Sequence, residues 1–116
     1  MDNISSLYEE ITQLHADVCS ALADPKRILL IYTLAEKPRN VGELAQALSM
    51  SQPTVSRHLK LLRERGLVHA ERQGACVEYQ LTDNRLVQAL DLLRAVLNDR
   101  LNYRAKLAQA DQISKE

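Results

Sequence analysis

Thirteen consecutive residues carry most of the chemistry that this chain could do: Ser51-Gln52-Pro53-Thr54-Val55-Ser56-Arg57-His58-Leu59-Lys60-Leu61-Leu62-Arg63. Read as a helix, the stretch has an apolar stripe, Val55, Leu59 and Leu62, at i, i+4, i+7 spacing. The opposite face carries Thr54, Arg57 and Lys60, with Ser56 on its flank and Gln52 at the N-terminal end. These side chains donate and accept hydrogen bonds without needing burial. They suit base edges and phosphates in the major groove of a nucleic-acid duplex. Ser51 is a good N-cap, and Pro53 falls in the first turn, where a missing N–H costs nothing. Standing alone, such a helix would be an ordinary amphipathic surface helix, so its neighbours decide what it is.

A chain of 116 residues is read as one domain, residues 1–112, with a solvated tail at 113–116. There is no Trp and no Phe, so the core must come from Leu, Ile, Val and Ala, which favours packed helices. Net charge is zero, so any attraction to nucleic acid has to be local. It is local: Arg57, Lys60, Arg63, Arg65 and Arg72 face only Glu64 and Glu71 in the window that also holds His58 and His69. No stretch approaches the roughly 20 apolar residues of a membrane span. The N-terminus has no basic region followed by an apolar run, so no secretory signal is expected. Two cysteines, Cys19 and Cys76, are too few for a disulfide framework and point to reduced thiols in the cytoplasm.

In chain order, residues from about Ser5 to Ala23 read as a helix. Ile4, Leu7, Ile11, Leu14 and Val18 keep heptad spacing, and a second stripe of Tyr8, His15, Cys19 and Leu22 lies beside them. Asp24-Pro25 opens the next helix, with Asp as N-cap and Pro at its first position. That helix carries Ile28, Leu29, Ile31, Tyr32 and Leu34, is central, and ends at Lys37-Pro38-Arg39-Asn40. Val41 to Leu48 is a short helix, and Ser49-Met50-Ser51 turns into the opening stretch without the Gly often found there. Short helix, three-residue turn and polar-faced helix make a helix-turn-helix, closed by Gly66.

After Gly66 the period changes. Residues 67–72 and 75–81 read as two strands joined by a turn at Gln73-Gly74. This hairpin is a wing, with Arg72 and Gln73 at its tip for a minor-groove or phosphate contact. Thr82-Asp83 then caps a long helix to about Gln109, striped by Leu86, Leu90, Leu93, Leu97, Leu101 and Leu107. The expected fold is mainly α with a small β-hairpin: a winged helix-turn-helix ordered α1-α2-α3-α4-β1-β2-α5. The stripes on both terminal helices predict a homodimer built from them.

The strings Ala21-Leu22-Ala23-Asp24-Pro25-Lys26-Arg27-Ile28, Val41-Gly42-Glu43-Leu44-Ala45, Ser51 to Leu62 and Gly66-Leu67-Val68 resemble the ArsR/SmtB family of bacterial dimeric repressors. The resemblance covers about Val18 to Leu86. It implies a homodimer on a (pseudo)palindromic operator, released by an inducer. The family's arsenic and cadmium type places Cys-Val-Cys-Asp-Leu before the recognition helix. The matching positions here are Asn40, Val41, Gly42, Glu43 and Leu44, without either thiolate. Its zinc type uses Asp-x-His and His-x-x-Glu or His on the last helix. Asp83, Arg85, Val96 and Asp99 stand there instead, and an Arg in place of imidazole removes what zinc prefers.

Other sensing chemistry rests on thiols. Cys19 has His15 at i−4, an arrangement open to a common ligand or to a redox-active thiol. The plainer reading makes Cys19 a small buried hydrophobe. Cys76 lies on a wing strand and is the second thiol candidate; His15 and Cys19 are the weak metal candidates. His58 reads as a DNA-facing or packing residue, and His69 as surface. Catalysis finds no phosphate loop, no nucleophile elbow and no paired acids, since Glu9 and Glu10 point to different helix faces. No cofactor is expected. DNA contacts are assigned to Ser51, Gln52, Thr54, Ser56, Arg57, His58, Lys60, Arg63, Arg72 and Gln73. The competing reading is a winged-helix module that binds a protein partner and no DNA, which the zero net charge favours.

Overall fold

In the computed structural model, residues 2–115 are described along the backbone and residues 3–111 in their side chains. Helix α1, Asp2–Leu14, runs into a π turn, His15–Cys19, and a short 3-10 turn, Ala21–Ala23. Helices α2 (Pro25–Glu36), α3 (Val41–Leu48) and α4 (Gln52–Glu64) follow, then strands β1 (Val68–Gln73) and β2 (Cys76–Leu81). The chain divides between Asn84 and Arg85; the second unit is the single helix α5, Arg85–Lys115.

Each helix of the first unit from α2 onward starts where its sequence supplies a cap. Asp24 accepts from the Lys26 N–H at 2.8 Å, with Pro25 in the first turn. Ser51 accepts from the Thr54 N–H at 3.3 Å. Asn40 and Glu43 form a reciprocal capping box: the Glu43 N–H donates to Asn40 Oδ1 at 2.8 Å and the Asn40 N–H donates to Glu43 Oε1 at 3.1 Å. The ends are as local. Beyond α4, Gly66 takes φ +75°, the Leu67 N–H reaches the Leu62 carbonyl at 2.9 Å, and the Gly66 N–H reaches that of Arg63 at 3.0 Å. That is a Schellman ending. Beyond α3 the same left-handed position, φ 53°, is held by Ser49.

The core follows from the apolar positions. Leu30, Ile31 and Leu34 of α2 are buried with Leu44 and Ala45 of α3, Val55, Leu59 and Leu62 of α4, and Val68 of β1. Helix α2 contacts α3, α4 and β2, so it is the central element the spacing predicted. The hairpin is antiparallel, with Val68 opposite Leu81 and Gln73 opposite Cys76. Arg39 adds one further rung: its N–H donates to the Tyr79 carbonyl at 3.2 Å, and the Tyr79 N–H donates to its carbonyl at 2.8 Å.

Three expectations change. The first helix does not run regularly from Ser5 to Ala23. The Ser20 N–H bonds to the His15 carbonyl, five residues back, and the extra residue rotates the downstream chain by about 100°. Ala21 is therefore buried while Leu22 is only half-buried. The wing turns on Gly74-Ala75, one residue later than expected. Only its first residue has positive φ, +62°, as a type II′ turn requires. Helix α5 begins at Arg85, after Thr82-Asp83-Asn84, and extends past Gln109 to Lys115.

Both terminal helices leave apolar side chains in solvent. On α1, Ile4 is 75% and Tyr8 72% exposed, and Leu7, Ile11 and Leu14 are about half exposed. On α5, Leu92, Leu93, Val96, Leu97, Leu101, Tyr103 and Leu107 are exposed along a helix of about 46 Å at about 1.5 Å per residue.

Ser49 sits where an L-residue with a Cβ costs about 1–2 kcal/mol. Ser49→Gly is expected to raise unfolding free energy by about 0.5–1 kcal/mol after the extra freedom of the unfolded chain is subtracted. Urea denaturation of the two proteins measures it.

Candidate nucleic-acid interface

Burying Val55, Leu59 and Leu62 fixes the rotation of α4 about its axis. Ser51, Gln52, Ser56, Arg57, Lys60 and Arg63 are left outside, all exposed, together with Pro53 and Glu64. The row is polar and carries three cations, and the only acid of α4, Glu64, comes at its last position. The N-terminal end is pre-arranged by local bonds. Ser51 Oγ donates to Thr54 Oγ1 at 2.8 Å, and Arg57 Nη2 donates to the same oxygen at 3.4 Å. Thr54, half-buried, thus holds the Arg57 side chain against the first turn, so Ser51 and Thr54 serve the helix as well as any ligand.

Helix α3 braces α4. A Cβ on Gly42 would lie 3.4 Å from Asn40 Oδ1 and 3.8 Å from Gln52 Nε2, so Gln52 lies over the start of α3. Asn40 and Gly42 are the two positions where the family's thiolates would stand. Asn40 here is committed to the capping box, and Gly42 gives the Gln52 amide room. Among the described residues no three His, Cys, Asp or Glu side chains converge to hold a metal ion.

His58 departs from the exposed row. It is half-buried on the flank of α4, with Nδ1 3.5 Å from Arg27 Nη1 on α2. Of its two readings, packing is the one its position favours. Burial holds its imidazole below the ordinary 6.5, Asp24 opposes, and Arg27, Lys26 and Arg57 add to the lowering. Asp24 itself is pulled down chiefly by the hydrogen bond from the Lys26 N–H.

Arg65 also turns inward. Counted along the sequence, it belongs to the basic window. In the fold it is half-buried and donates to the Ala16 carbonyl and to Ser20 Oγ at 2.9 Å. Arg27 does similar work from α2, donating to the Ala21 carbonyl at 2.6 Å and the Ser20 carbonyl at 3.3 Å. Neither role is visible in residue spacing, because a long side chain chooses its partner only once the fold exists.

On the wing, Arg72 and Gln73 are both exposed at the tip but point to opposite faces. Arg72 shares the face of Val68 and Ala70. Gln73 shares the other with Cys76, Glu71 and Glu78. Cys19 and Cys76 are both free and exposed, so Cys19 is not the buried hydrophobe of the plainer reading. His15, at the start of the π turn, is exposed too.

The depressed His58 titration sets a pH dependence. The folded protein holds His58 neutral, while the unfolded chain takes up a proton near 6.5, so stability falls as pH drops from about 6.5 through the lower folded value. His58→Gln is expected to flatten that part of the curve. Denaturation midpoints between pH 7.5 and 5 test it; an unchanged slope refutes it.

Comparison with known proteins places this geometry. The sequence model of bacterial regulatory proteins of the arsR family matches residues 24–70, from the cap of α2 to β1. The chain is 44% identical over 77 residues to the transcriptional repressor SmtB of Mycobacterium tuberculosis, 66% of this chain and 57% of that protein, so it spans little more than half of that relative. It is 36% identical over 81 residues to the biofilm growth-associated repressor of Xylella fastidiosa, 70% of this chain and 71% of that protein. Among solved structures, the homodimeric winged helix-turn-helix DNA-binding domain of a possible ArsR-family regulator from Mycobacterium bovis superposes with a TM-score of 0.69 at 26% identity. That match covers 89% of this chain and 92% of that one. These relatives are regulators of transcription and not enzymes, and the fold is theirs. The chain belongs to the ArsR family of bacterial regulatory proteins.

Proposed function

We propose that this protein is a homodimeric, cytoplasmic transcriptional repressor that binds a pseudo-palindromic operator and leaves it when an inducer binds. The exposed row Gln52, Ser56, Arg57, Lys60 and Arg63 on α4 carries the reading, because the buried edge of the same helix leaves it no other orientation. Gln52, Ser56 and Arg57 meet base edges at the N-terminal end, where α4 enters the major groove. Lys60 and Arg63 neutralise phosphates, and Arg72 reaches the backbone from the wing.

The exposed apolar residues of α1 and α5 support the homodimer, since a chain that stayed alone would carry them in water. The mycobacterial relative of like fold is homodimeric. Residues 1–112 act as one DNA-binding and dimerising domain; of the expected tail, 113–115 continue α5, and residue 116 lies outside the described residues. The positions of the family's metal ligands are occupied by Asn40, Gly42, Arg85 and Val96, which supports an inducer other than those metals. Two solvent-accessible thiols, Cys19 and Cys76, support a thiol-reactive inducer. Membership of a regulator family disfavours the protein-binding module.

A gel shift with DNA from the gene's own upstream region tests the function: saturable binding at moderate salt is expected, and its absence sinks the reading. Arg57→Ala is expected to cost about 1–3 kcal/mol at one base pair of each half-site, while Arg72→Ala weakens all sequences alike and lowers the salt slope by about one. Release of DNA by oxidants that persists in a Cys19→Ser, Cys76→Ser double variant refutes the thiol route.

A further inference from the structure

Two arginines outside the DNA-facing row tie α4 to one short segment. Arg65, the residue that follows α4, donates to the Ala16 carbonyl and to Ser20 Oγ. Arg27 takes the Ser20 and Ala21 carbonyls and touches His58 in the middle of α4. The recognition helix is therefore held at its middle and at its end against residues 16–21. Those residues are where α1 gives way to the π and 3-10 turns, and the arginines add to bonds already there: the Ala16 carbonyl also accepts from Ser20 Oγ at 2.6 Å and the Ser20 carbonyl from the Ala23 N–H at 3.4 Å. A guanidinium fork satisfies several such oxygens at once, and its charge suits a helix C-terminus. Upstream on the same helix lie the exposed Ile4, Leu7, Ile11 and Leu14.

The geometry points to a positioning role: Arg65, with Arg27 beside it, fixes the direction of α4 relative to α1, and so the separation of the two recognition helices in the dimer. The inference rests on the operator-binding homodimer proposed above. A two-fold dimer has to present its helices about one DNA turn apart, roughly 34–36 Å. Helix α4 is about 20 Å long, so a tilt of about 5° about its Arg65 end moves the Gln52 end by about 2 Å. Hydrogen bonds to base edges do not survive such a shift. A role as one more phosphate contact in the basic window would instead leave Arg65 indifferent to spacing.

The full chain is titrated by fluorescence anisotropy onto three duplexes at several salt concentrations: the gene's upstream region, the same DNA with one base pair inserted at the dyad, and a scrambled sequence. Arg65→Met and Arg65→Lys are each expected to weaken binding to the intact duplex about tenfold and to narrow its advantage over the inserted one. Affinity for the scrambled duplex and the salt slope should stay as in the wild type. Recovery by Arg65→Lys, or a salt slope lower by about one in Arg65→Met, makes Arg65 a phosphate contact and overturns the inference. Wild-type affinities in both variants overturn it as well. If Arg65→Met does not fold by circular dichroism, Ser20→Ala, which removes the hydroxyl that Arg65 engages, is expected to weaken the intact duplex about threefold, and no change overturns the inference. A wild type that does not prefer the upstream duplex overturns the operator reading with it; a wild type that discriminates and variants that do so equally overturn the positioning role alone.

Discussion

One constraint governs this protein: the burial of a single edge of α4. Val55, Leu59 and Leu62 are fully removed from solvent, each contributing about 1.5–3 kcal/mol to keeping that edge inward. A helix held by one edge has one possible outer face. Here that face is polar and carries three cations, in a chain whose net charge is zero. The protein has no global field to draw DNA, so the rotation of one helix concentrates its positive charge on the face proposed to meet it.

The parts governed by short-range chemistry were legible in the sequence. Asp24-Pro25 and Ser51 with Pro53 start helices because capping involves residues two or three apart, and Gly66 ends one because it alone takes a left-handed φ freely. The Asn40–Glu43 box was equally legible, as Asn-x-x-Glu ahead of an apolar run; weighing those positions only as metal ligands misses it. The features that were not legible are chosen by tertiary contact. The π turn answers to no local signal, and it buries Ala21 in place of Leu22. Arg65 and His58 look like members of a basic patch until the fold turns them inward, and Arg72 and Gln73 part because β pairing alternates faces.

The same fold leaves its termini unfinished. Apolar residues lie exposed along both α1 and α5, and they support the proposed homodimer, as does the dimeric relative of like fold. The segment His15–Ser20 joins the two themes. It follows the exposed stripe of α1, carries the accessible thiol of Cys19, and receives Arg27 and Arg65. A change there is one residue away from atoms that hold the recognition helix.

The central claim is that α4 reads a specific sequence, twice, from a dimer. Its most direct test is a stoichiometric competition: labelled upstream duplex with wild-type protein at physiological salt, challenged by unlabelled upstream or scrambled DNA. The account predicts two protomers per duplex and a preference of at least about 10³ for the upstream sequence. Equal competition by both DNAs, or one protomer per duplex, would contradict it.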